Sequence, residues 1–600
     1  MTNLGREPLQ IVEIDIEYCS LTFGTSPCTA ALGGTDQDGN TIVRKCYQTV
    51  PTCRDLPNIN LGTFTLSFAK NQSGLPKGTL IYPALSSVST NAARITLGSV
   101  DDRLGSLGKR ARVTVKLKDF TDSDNGFDKY ASERRDGTAQ TDEGGYEPKD
   151  RGTFFAKLKA RFPYYIGRSL RVRNGYVGDT ISAMPTRHYQ ITEWPGPDAA
   201  WNISIVAQDP LELTDKSKSL CPKPSQGALA VAISDSFTGT VTLEPATIGD
   251  TYATSGRASI GSEIVSFTRS GDDITLTGRG LDGSAASSHS QGDAFQQCYR
   301  VEGAALYDVA QELLEGFAGI DPSLITIADW QSEVSEWFAG LKLTRTVTKP
   351  TPVITLLGQL ADFGFVFWAD EVSQEIRLRA NRPVNIGETV TPITDDNSLI
   401  EGTIGNKDLY EQRISQVQFY HGVIDYTSSA TSADNYKNLF VVVDAASEGE
   451  QQYNQSRIKT IFSPWLGNEG SPGDASAVAG RLAVRYRDIP VEVTFTADIK
   501  DRTPLDVASL IDMNTRLIED ETGNATDTRM QVTSVDEVDS GNRLKVTAQS
   551  YRLDGRFGRI VDNSSPDYSS ATAAQKAVGC WIATDATTKF PDGAGAYLIF

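Results

Sequence analysis

Cysteine is the residue type whose number and spacing in this sequence point to chemistry. Of seven cysteines, four (Cys19, Cys28, Cys46 and Cys53) fall near the start of the chain in the pattern C-x8-C-x17-C-x6-C. We call these four the N-terminal cysteines. The odd total, and a first stretch that lacks a basic region followed by an apolar block, argue against an extracellular disulfide framework. Clustered thiols in such a chain indicate a metal site instead.

The spacing of the N-terminal cysteines separates the candidate metals. Structural zinc sites usually pair thiols two to four residues apart, and no such pair occurs here. An iron–sulfur cluster is larger than one ion, so its thiolates can come from separate loops. Gly24 and Pro27 favour loops at this point of the chain. The pattern therefore predicts an iron–sulfur cluster, with the four-iron (4Fe–4S) form favoured. Zinc, two disulfides and four independently buried thiols are the alternatives.

The remaining cysteines carry less information. Cys221 and Cys298 flank residues 222–297, where Ser, Thr, Gly and Ala are frequent and short alternating runs predict a small inserted β domain. Because the ends of an inserted domain usually lie close together, we expect these two thiols to be neighbours. A reducing compartment favours a packed pair over a disulfide. Cys580 lies in a Gly-, Ala- and Thr-rich stretch and is interpreted as structural.

Length, charge and composition exclude several classes of protein. A chain of 600 residues corresponds to about four domains. The net charge of −19 argues against a protein that grips nucleic acid, although an acidic wall suits a channel through which DNA slides. A hydrophobic content of 39% argues against disorder. The sequence contains no run of about 18 apolar residues, so it predicts no membrane-spanning helix.

Hydrophobic periodicity predicts a mainly β protein with some α (α+β), built from several barrel- or sandwich-like domains. The predicted units are a Cys-rich iron–sulfur domain (1–61), a β-rich domain (62–220), the inserted domain (222–297), an α/β domain (298–410), a second β-rich domain (411–555) and a C-terminal tail packing on neighbours (556–600). Alternation over 64–68 and 110–120 predicts strands, and helical spacing over 154–165 predicts a helix.

Four local predictions can be compared directly with a structure. Asn174-Gly175 predicts a hairpin turn. Residues 121–152, dense in Asp, Gly and Ser, are interpreted as an exposed loop. A helix over 476–488 is expected to carry Arg481 and Arg485 on its solvent side. The Trp and Phe residues between 330 and 338 are spaced for core packing on one helix face.

Motifs typical of common enzymes are missing from the sequence. It has no Walker loop, no dinucleotide-binding glycine motif after a strand, no H-E-x-x-H and no G-x-S-x-G. Its three histidines, His188, His289 and His421, are scattered and are interpreted as ordinary polar side chains. We therefore predict that the chain is not an enzyme and has no catalytic residues.

The cysteine segment EYCSLTFGTSPC…KCYQTVPTC resembles the iron–sulfur domain of lambda-like phage tail-tip L proteins. Further segments, among them LGSLGKRARVTVKLKDF, IVAQDPLELTD and RYRDIPVEVTF, resemble the hub proteins of long flexible (siphovirus-like) phage tails and of gene transfer agents. A departure from both groups is that the cluster domain and the hub body occupy one polypeptide.

The resemblance implies a virion structural protein. It implies a homotrimeric hub at the tail tip or baseplate that joins the distal tail ring to the tip and forms or closes the DNA channel. The implied partners are the distal tail protein, the C-terminus of the tape-measure protein, tail-tip or fibre proteins and, indirectly, the host outer surface. DNA would pass through without specific binding. The ligand role carries over to Cys19, Cys28, Cys46 and Cys53, and assembly would take place in the host cytoplasm before genome delivery.

Two other classes of function compete with this interpretation. A receptor-binding or glycan-binding fibre protein would need exposed aromatic side chains. The inserted domain has only four aromatic residues, Phe237, Tyr252, Phe267 and Phe295, which argues against that role. An iron–sulfur redox enzyme would need a second cofactor or substrate site, for which the sequence carries no nucleotide or flavin motif.

Overall fold

The computed structural model describes residues 7–70, 74–97, 107–215, 219–385, 388–467, 472–498, 505–539, 543–552 and 569–572. The predicted C-terminal tail falls almost entirely outside these ranges, as does Cys580. Among the described helices, none combines the length and the apolar character needed to cross a membrane.

The first body is an eight-stranded sheet. Its strands are β1 (Pro8–Cys19), β2 (Leu61–Ala69), β3 (Ile81–Tyr82), β4 (Leu85–Asn91), β5 (Arg112–Lys118), β6 (Ser169–Tyr176), β7 (Thr186–Glu193) and β8 (Asn202–Gln208), with helices α1 (Ala131–Asp136) and α2 (Phe154–Arg161) after β5. The order β3-β2-β1-β6-β7-β8-β5-β4 puts β3 and β4 at opposite edges although only two residues separate them. The sheet therefore curls into a nearly closed barrel.

Alternating residues of these strands fill the barrel. Ile14, Val115 and Ile205 are fully buried in one hydrophobic cluster with α2, as period-two patterning requires. The first strand belongs to this sheet throughout, because its last residue, Cys19, pairs with Leu61 of β2. The strand within the predicted unit 1–61 is thus part of the sheet that continues into 62–220.

The second body is the segment predicted as an insertion, which forms its own sheet. After β9 (Leu220–Cys221) come β10 (Ala228–Leu229), β11 (Thr240–Glu244), β12 (Ser255–Ile260), β13 (Glu263–Ser270), β14 (Asp273–Gly278) and β15 (Phe295–Gln297). The last six pair in the order β10-β11-β14-β13-β12-β15 around a hydrophobic cluster drawn only from this segment. Gly271 has a φ of 60°, which fits the two-residue turn between β13 and β14.

The inserted segment contains a buried ionic network centred on Glu263. The Glu263 side chain is fully buried and accepts two hydrogen bonds from the Arg279 guanidinium, at 2.6 and 2.8 Å. It also accepts the main-chain N–H groups of Gly280 and Ser287, and His289 Nε2 lies 2.8 Å away. Burial opposes the charge of Glu263, but these donors outweigh it and lower its pKa to about 2.

This network predicts acid sensitivity of residues 279–289. Because the pKa of Glu263 is lower in the folded state, its stabilising contribution is complete above its unfolded pKa, near 4.5, and is lost as the pH falls toward 2. We expect the exchange protection of the Gly280 and Ser287 amides to fall over this pH range. Hydrogen exchange with mass spectrometry measures it. In Glu263→Gln the protection should be lower at neutral pH and show no such drop, whereas a wild-type profile in that variant would contradict the assignment.

The third body combines helices and short strands. It contains β16 (Tyr299–Ala304), α3 (Leu306–Glu312), α4 (Ile327–Trp337), β17 (Leu343–Val347), β18 (Thr351–Pro352), α5 (Val353–Ala361), β19 (Phe365–Asp370) and β20 (Glu375–Ala380). Leu313–Phe317 extends α3 as a π-helical turn. Trp330, Val334 and Phe338 are buried in its core, so the predicted packing role of this stripe is confirmed.

The last body has two sheets. Its elements are β21 (Val390–Thr394), β22 (Gly405–Asp408), β23 (Gln416–Val423), β24 (Tyr436–Val443), α6 (Ala445–Glu448), β25 (Ile458–Ser463), α7 (Pro472–Tyr486), β26 (Val491–Asp498), β27 (Leu510–Asn514), β28 (Thr528–Asp539) and β29 (Arg543–Ser550). One sheet has the order β21-β27-β28-β29-β26-β22 and the other β24-β23-β25. The second sheet and α7 share their core with the helices α3 to α5.

The mainly β fold class with several sheets is confirmed, whereas the predicted turn at Asn174-Gly175 is wrong. Both residues lie inside β6, where Asn174 pairs with Gln10 of β1 and its side chain accepts a 2.9 Å hydrogen bond from the Gln10 amide. The chain turns after Tyr176 instead, with Gly178 at a φ of 100°. Pairing with β1, distant in sequence, overrides the local turn preference.

The predicted solvent side of α7 is also wrong. Arg481 and Arg485 are buried, with 7% and 3% of their surface exposed. Arg485 donates to Asn381 Oδ1 at 2.7 Å and to Gln531 Oε1 at 2.8 Å. The Arg481 guanidinium donates to the Trp337 carbonyl at 2.6 Å. Acceptors on neighbouring elements hold both side chains inside the molecule.

Cys221 and Cys298, expected to pack as a pair and not to form a disulfide, form no disulfide. Both are buried and both are free thiols. Cys221 lies in β9, which pairs with β18, and belongs to the core of the third body. Cys298 lies between β15 and β16 at the end of the inserted segment.

Candidate metal centre

The structure brings the N-terminal cysteines together around one small cavity. Cys19 ends β1, Cys28 follows a turn closed by a hydrogen bond from its own N–H to the Thr25 carbonyl, and Cys53 follows a short 3-10 helix. Cys46 lies between them in an extended segment. All four line the same cavity, together with Phe23, Ala30, Gln48, Arg54 and other side chains. Four residues spread over 35 positions therefore converge on one point of the fold.

Gln48 connects the segment that carries Cys46 to the end of β1 through hydrogen bonds. Its carbonyl accepts the Cys19 N–H at 2.6 Å, and its side-chain amide donates to the carbonyls of Cys19 and Leu21, both at 3.0 Å. The Tyr18 hydroxyl donates to Gln48 Oε1 at 2.5 Å. Gln48 is buried and has a φ of 60°, so four hydrogen bonds hold an unusual backbone conformation between two of the cysteines.

Asp55 joins the loops of the other two cysteines. Its carboxylate accepts the Thr29 N–H at 2.6 Å and the Thr29 hydroxyl at 2.9 Å, next to Cys28. Its own N–H points to Cys53 Sγ at 3.4 Å. A main-chain N–H directed at a cysteine sulfur is one of the interactions that tune iron–sulfur clusters.

Residues 121–152 support the cysteine segment, and their interpretation as an exposed loop is wrong. The Lys45 N–H donates to the Ala139 carbonyl and the Thr141 N–H donates to the Val43 carbonyl, so the two segments pair like strands. The Tyr130 hydroxyl accepts the Phe23 N–H at 2.6 Å. The segment with the N-terminal cysteines and residues 121–152 therefore form one unit, the Cys-rich lobe, with a small core shared by both segments.

Arg134 of α1 connects this support to a cysteine. Its side chain is fully buried and its Nε lies 2.5 Å from Asp128 Oδ2. Its guanidinium also donates to the Cys46 carbonyl at 3.0 Å and lies 3.8 Å from the centre of the Tyr47 ring. No signal in the sequence distinguished Arg134 from the neighbouring charged residues, because its role depends on contacts across 88 positions.

The thiols influence one another electrostatically. Burial raises the pKa of Cys46 to about 11; the Gln48 N–H acts against this rise, and the other three thiols add to it. Burial also raises the pKa of Cys53, against the effect of the Asp55 N–H. Without a bound cation these two sulfurs are therefore protonated at neutral pH. Binding of a metal would deprotonate them and release protons.

The four thiols are the donor set of this cavity. In the described ranges, no group of three or more His, Cys, Asp or Glu side chains is arranged closely enough to hold a metal ion. In a four-iron cluster each thiolate binds a different iron atom, so the sulfurs need not meet at one point. Four thiols around one cavity, two of them approached by main-chain N–H groups, match that kind of ligand set.

A cavity of about 270 Å³ that sequence reasoning missed lies between α4, the β19–β20 hairpin and residues 506–509. Its walls include Trp368, Glu333 and Arg382. Arg382 is paired with Glu333 at 2.7 Å, so this part of the wall is an internal ion pair. Its residues come from distant parts of the chain and form no local motif.

The aromatic residues considered for glycan binding are not surface groups. Tyr252, Phe267 and Phe295 are buried in the core of the inserted sheet, and Phe237 packs against it. The inserted segment therefore does not present these rings to a ligand.

No sequence family and no curated protein matches the chain. The solved structures that it resembles include phage tail proteins at low identity. A 43 kDa tail protein of prophage MuSo2 from Shewanella oneidensis is 10% identical over 78% of this chain and 98% of its own, with a TM-score of 0.34. A tail protein from Neisseria meningitidis is 9% identical over 78% and 99%, with a TM-score of 0.36. Prophage tail protein gp18 from Listeria monocytogenes is 10% identical over 77% and 88%, with a TM-score of 0.30. Likenesses of this size do not establish a common fold.

Proposed function

We propose that this chain is a structural protein of a phage-type tail whose N-terminal cysteines bind an iron–sulfur cluster of the 4Fe–4S form. The observation that carries the proposal is the convergence of Cys19, Cys28, Cys46 and Cys53 on one cavity. Their spacing resembles that of the iron–sulfur domain of tail-tip proteins, and this connects the site to a tail.

The cluster would act as a cross-link. It would join the end of β1, the turn before Cys28 and the segment from Cys46 to Cys53, whose shared hydrophobic core is small. Loops with so little core gain stability when ligand bonds hold them together, so binding energy becomes folding energy. We assign no redox reaction to the site.

We further propose that three copies form the hub of the tail tip, between the distal tail ring and the tip proteins, around the DNA path. Two features support this role. The chain consists of several β bodies joined by buried polar contacts, such as Tyr486 Oη to the Leu97 carbonyl at 2.6 Å, which suits a rigid wall. Its net charge of −19 repels DNA and so favours passage over binding.

Metal analysis tests the cluster directly. Protein purified without oxygen should contain iron and acid-labile sulfide in equal amounts, and Cys19→Ser should lose both together. The matched control is Cys298→Ser, a buried free thiol outside the cavity, which should keep both. Zinc without sulfide, or wild-type protein that folds with no metal, would contradict the cluster.

The tail assignment has its own test. An antibody against the exposed turn at residues 37–40 should label the tail tip of particles purified from the organism that encodes the chain. Label along the tail shaft, on the capsid, or on no particle at all would contradict the proposed location.

A further inference from the structure

The outer face of the sheet β24-β23-β25 carries exposed apolar side chains on both outer strands. Leu439, Val441 and Val443 of β24 are 43–49% exposed, and Ile458 of β25 is 54% exposed. Soluble sheets usually carry polar residues on a solvent face. An exposed apolar patch of this kind marks an interaction site.

The strand register shows three adjacent uncharged rows on this face, and Lys437 of β24 lies beyond the last of them. Val441 lies opposite Gln418 of β23, which lies opposite Thr460 of β25. The row on one side consists of Leu439, Tyr420 and Phe462, and the last two rings stack 5.0 Å apart. The row on the other side consists of Val443, Gln416 and Ile458. None of these three rows contains a charged side chain, in a chain that is 22% charged.

The opposite face of the same sheet is ordinary core. Val417 and Phe419 of β23 and Ile461 of β25 are buried against α7 and the third body. The mass of the subunit therefore lies behind the sheet, and the uncharged face points away from it.

Both edges of this sheet are also open within the described residues. The sheet has only three strands, so β24 and β25 each lack a main-chain partner on their outer side. Long apolar edge strands are templates for pairing with another chain. Because β24 runs antiparallel and β25 parallel to β23, β24 of one copy and β25 of the next would run antiparallel around a three-fold axis.

We propose that this sheet is the contact between copies of the chain. β24 of each copy pairs with β25 of the next, and three copies close a barrel to which each contributes three strands. The uncharged faces turn inward and fill it, since a barrel of about this size is packed with side chains. The closed barrel blocks the axis, so the trimer holds the DNA channel shut at this level. This inference rests on the proposed homotrimer.

Sedimentation of the full chain tests the contact. Wild-type protein should have three times the chain mass of 65.0 kDa, and Val441→Asp should sediment as a single chain at concentrations where the wild type is fully trimeric. Val441→Thr keeps the shape without a charge and should remain trimeric. Leu517→Asp, at a residue 58% exposed elsewhere, should also remain trimeric.

The outcomes separate the two proposals. A wild type that stays monomeric would overturn the homotrimer itself. A trimeric wild type with a trimeric Val441→Asp, or with a monomeric Leu517→Asp, would leave the trimer standing and overturn this contact. Hydrogen exchange adds a second readout. The amides of 437–443 that point away from β23 should be protected in the wild-type trimer and exchange rapidly in Val441→Asp, while those of β23 stay protected in both.

Discussion

Replacing Arg134 with methionine should lower the free energy of unfolding by about 3–5 kcal/mol, the usual cost of breaking a buried ion pair from one side. Asp128 would be left buried without its partner, since both side chains are at most 1% exposed. The Cys46 carbonyl would lose a 3.0 Å hydrogen bond at the same time. We therefore expect Arg134→Met to destabilise the Cys-rich lobe and to reduce iron content. Denaturation by urea and metal analysis of the purified protein measure the two effects.

Arg135 provides the matched control, because it follows Arg134 in the same helix. Its ion pair with Glu147 is about one-third exposed on both sides, and pairs of that kind contribute about 0–1 kcal/mol. Arg135→Met should keep wild-type iron content and nearly wild-type stability. Equal losses of stability and iron content in the two variants would contradict this role of the Arg134–Asp128 pair. They would show that the overall charge of α1 stabilises the lobe instead.

The second large effect is expected at Arg187, which joins three bodies of the molecule. From β7 of the barrel it reaches Glu371, in the β19–β20 hairpin turn, at 2.9 Å, and Glu537 of β28 at 3.3 Å. All three side chains are at most 16% exposed. Arg187→Met would remove the guanidinium that these two buried carboxylates share, at a cost of about 3–5 kcal/mol.

The form of the unfolding curve distinguishes this role from ordinary destabilisation. If Arg187 couples the bodies, Arg187→Met should unfold in separate steps over a wider urea range than the wild type. The control is Arg377→Met, because Arg377 lies in the same hairpin but is 43% exposed and pairs with Asp370 near solvent. An unchanged transition in Arg187→Met, or equal broadening in Arg377→Met, would contradict the coupling.

Local patterns in the sequence predicted several strands and helices and the candidate ligands. Alternation over a few residues predicts β2 and β5, and helical spacing predicts α2 and α4, because one buried face imposes a period that neighbouring residues record. The N-terminal cysteines are recognisable for a similar reason: cysteine is rare, and four in one short segment have few explanations.

Tertiary structure alone decided which polar residues are buried and which apolar ones are not. Arg485 is inside because Asn381, 104 positions away, accepts its hydrogen bond, and Asn174 continues a strand because Gln10 lies opposite it. The uncharged outer face of β24-β23-β25 likewise exists only through the register of three strands. Such features depend on partners that are distant along the chain, and hydrophobic periodicity carries no information about which partner a residue meets.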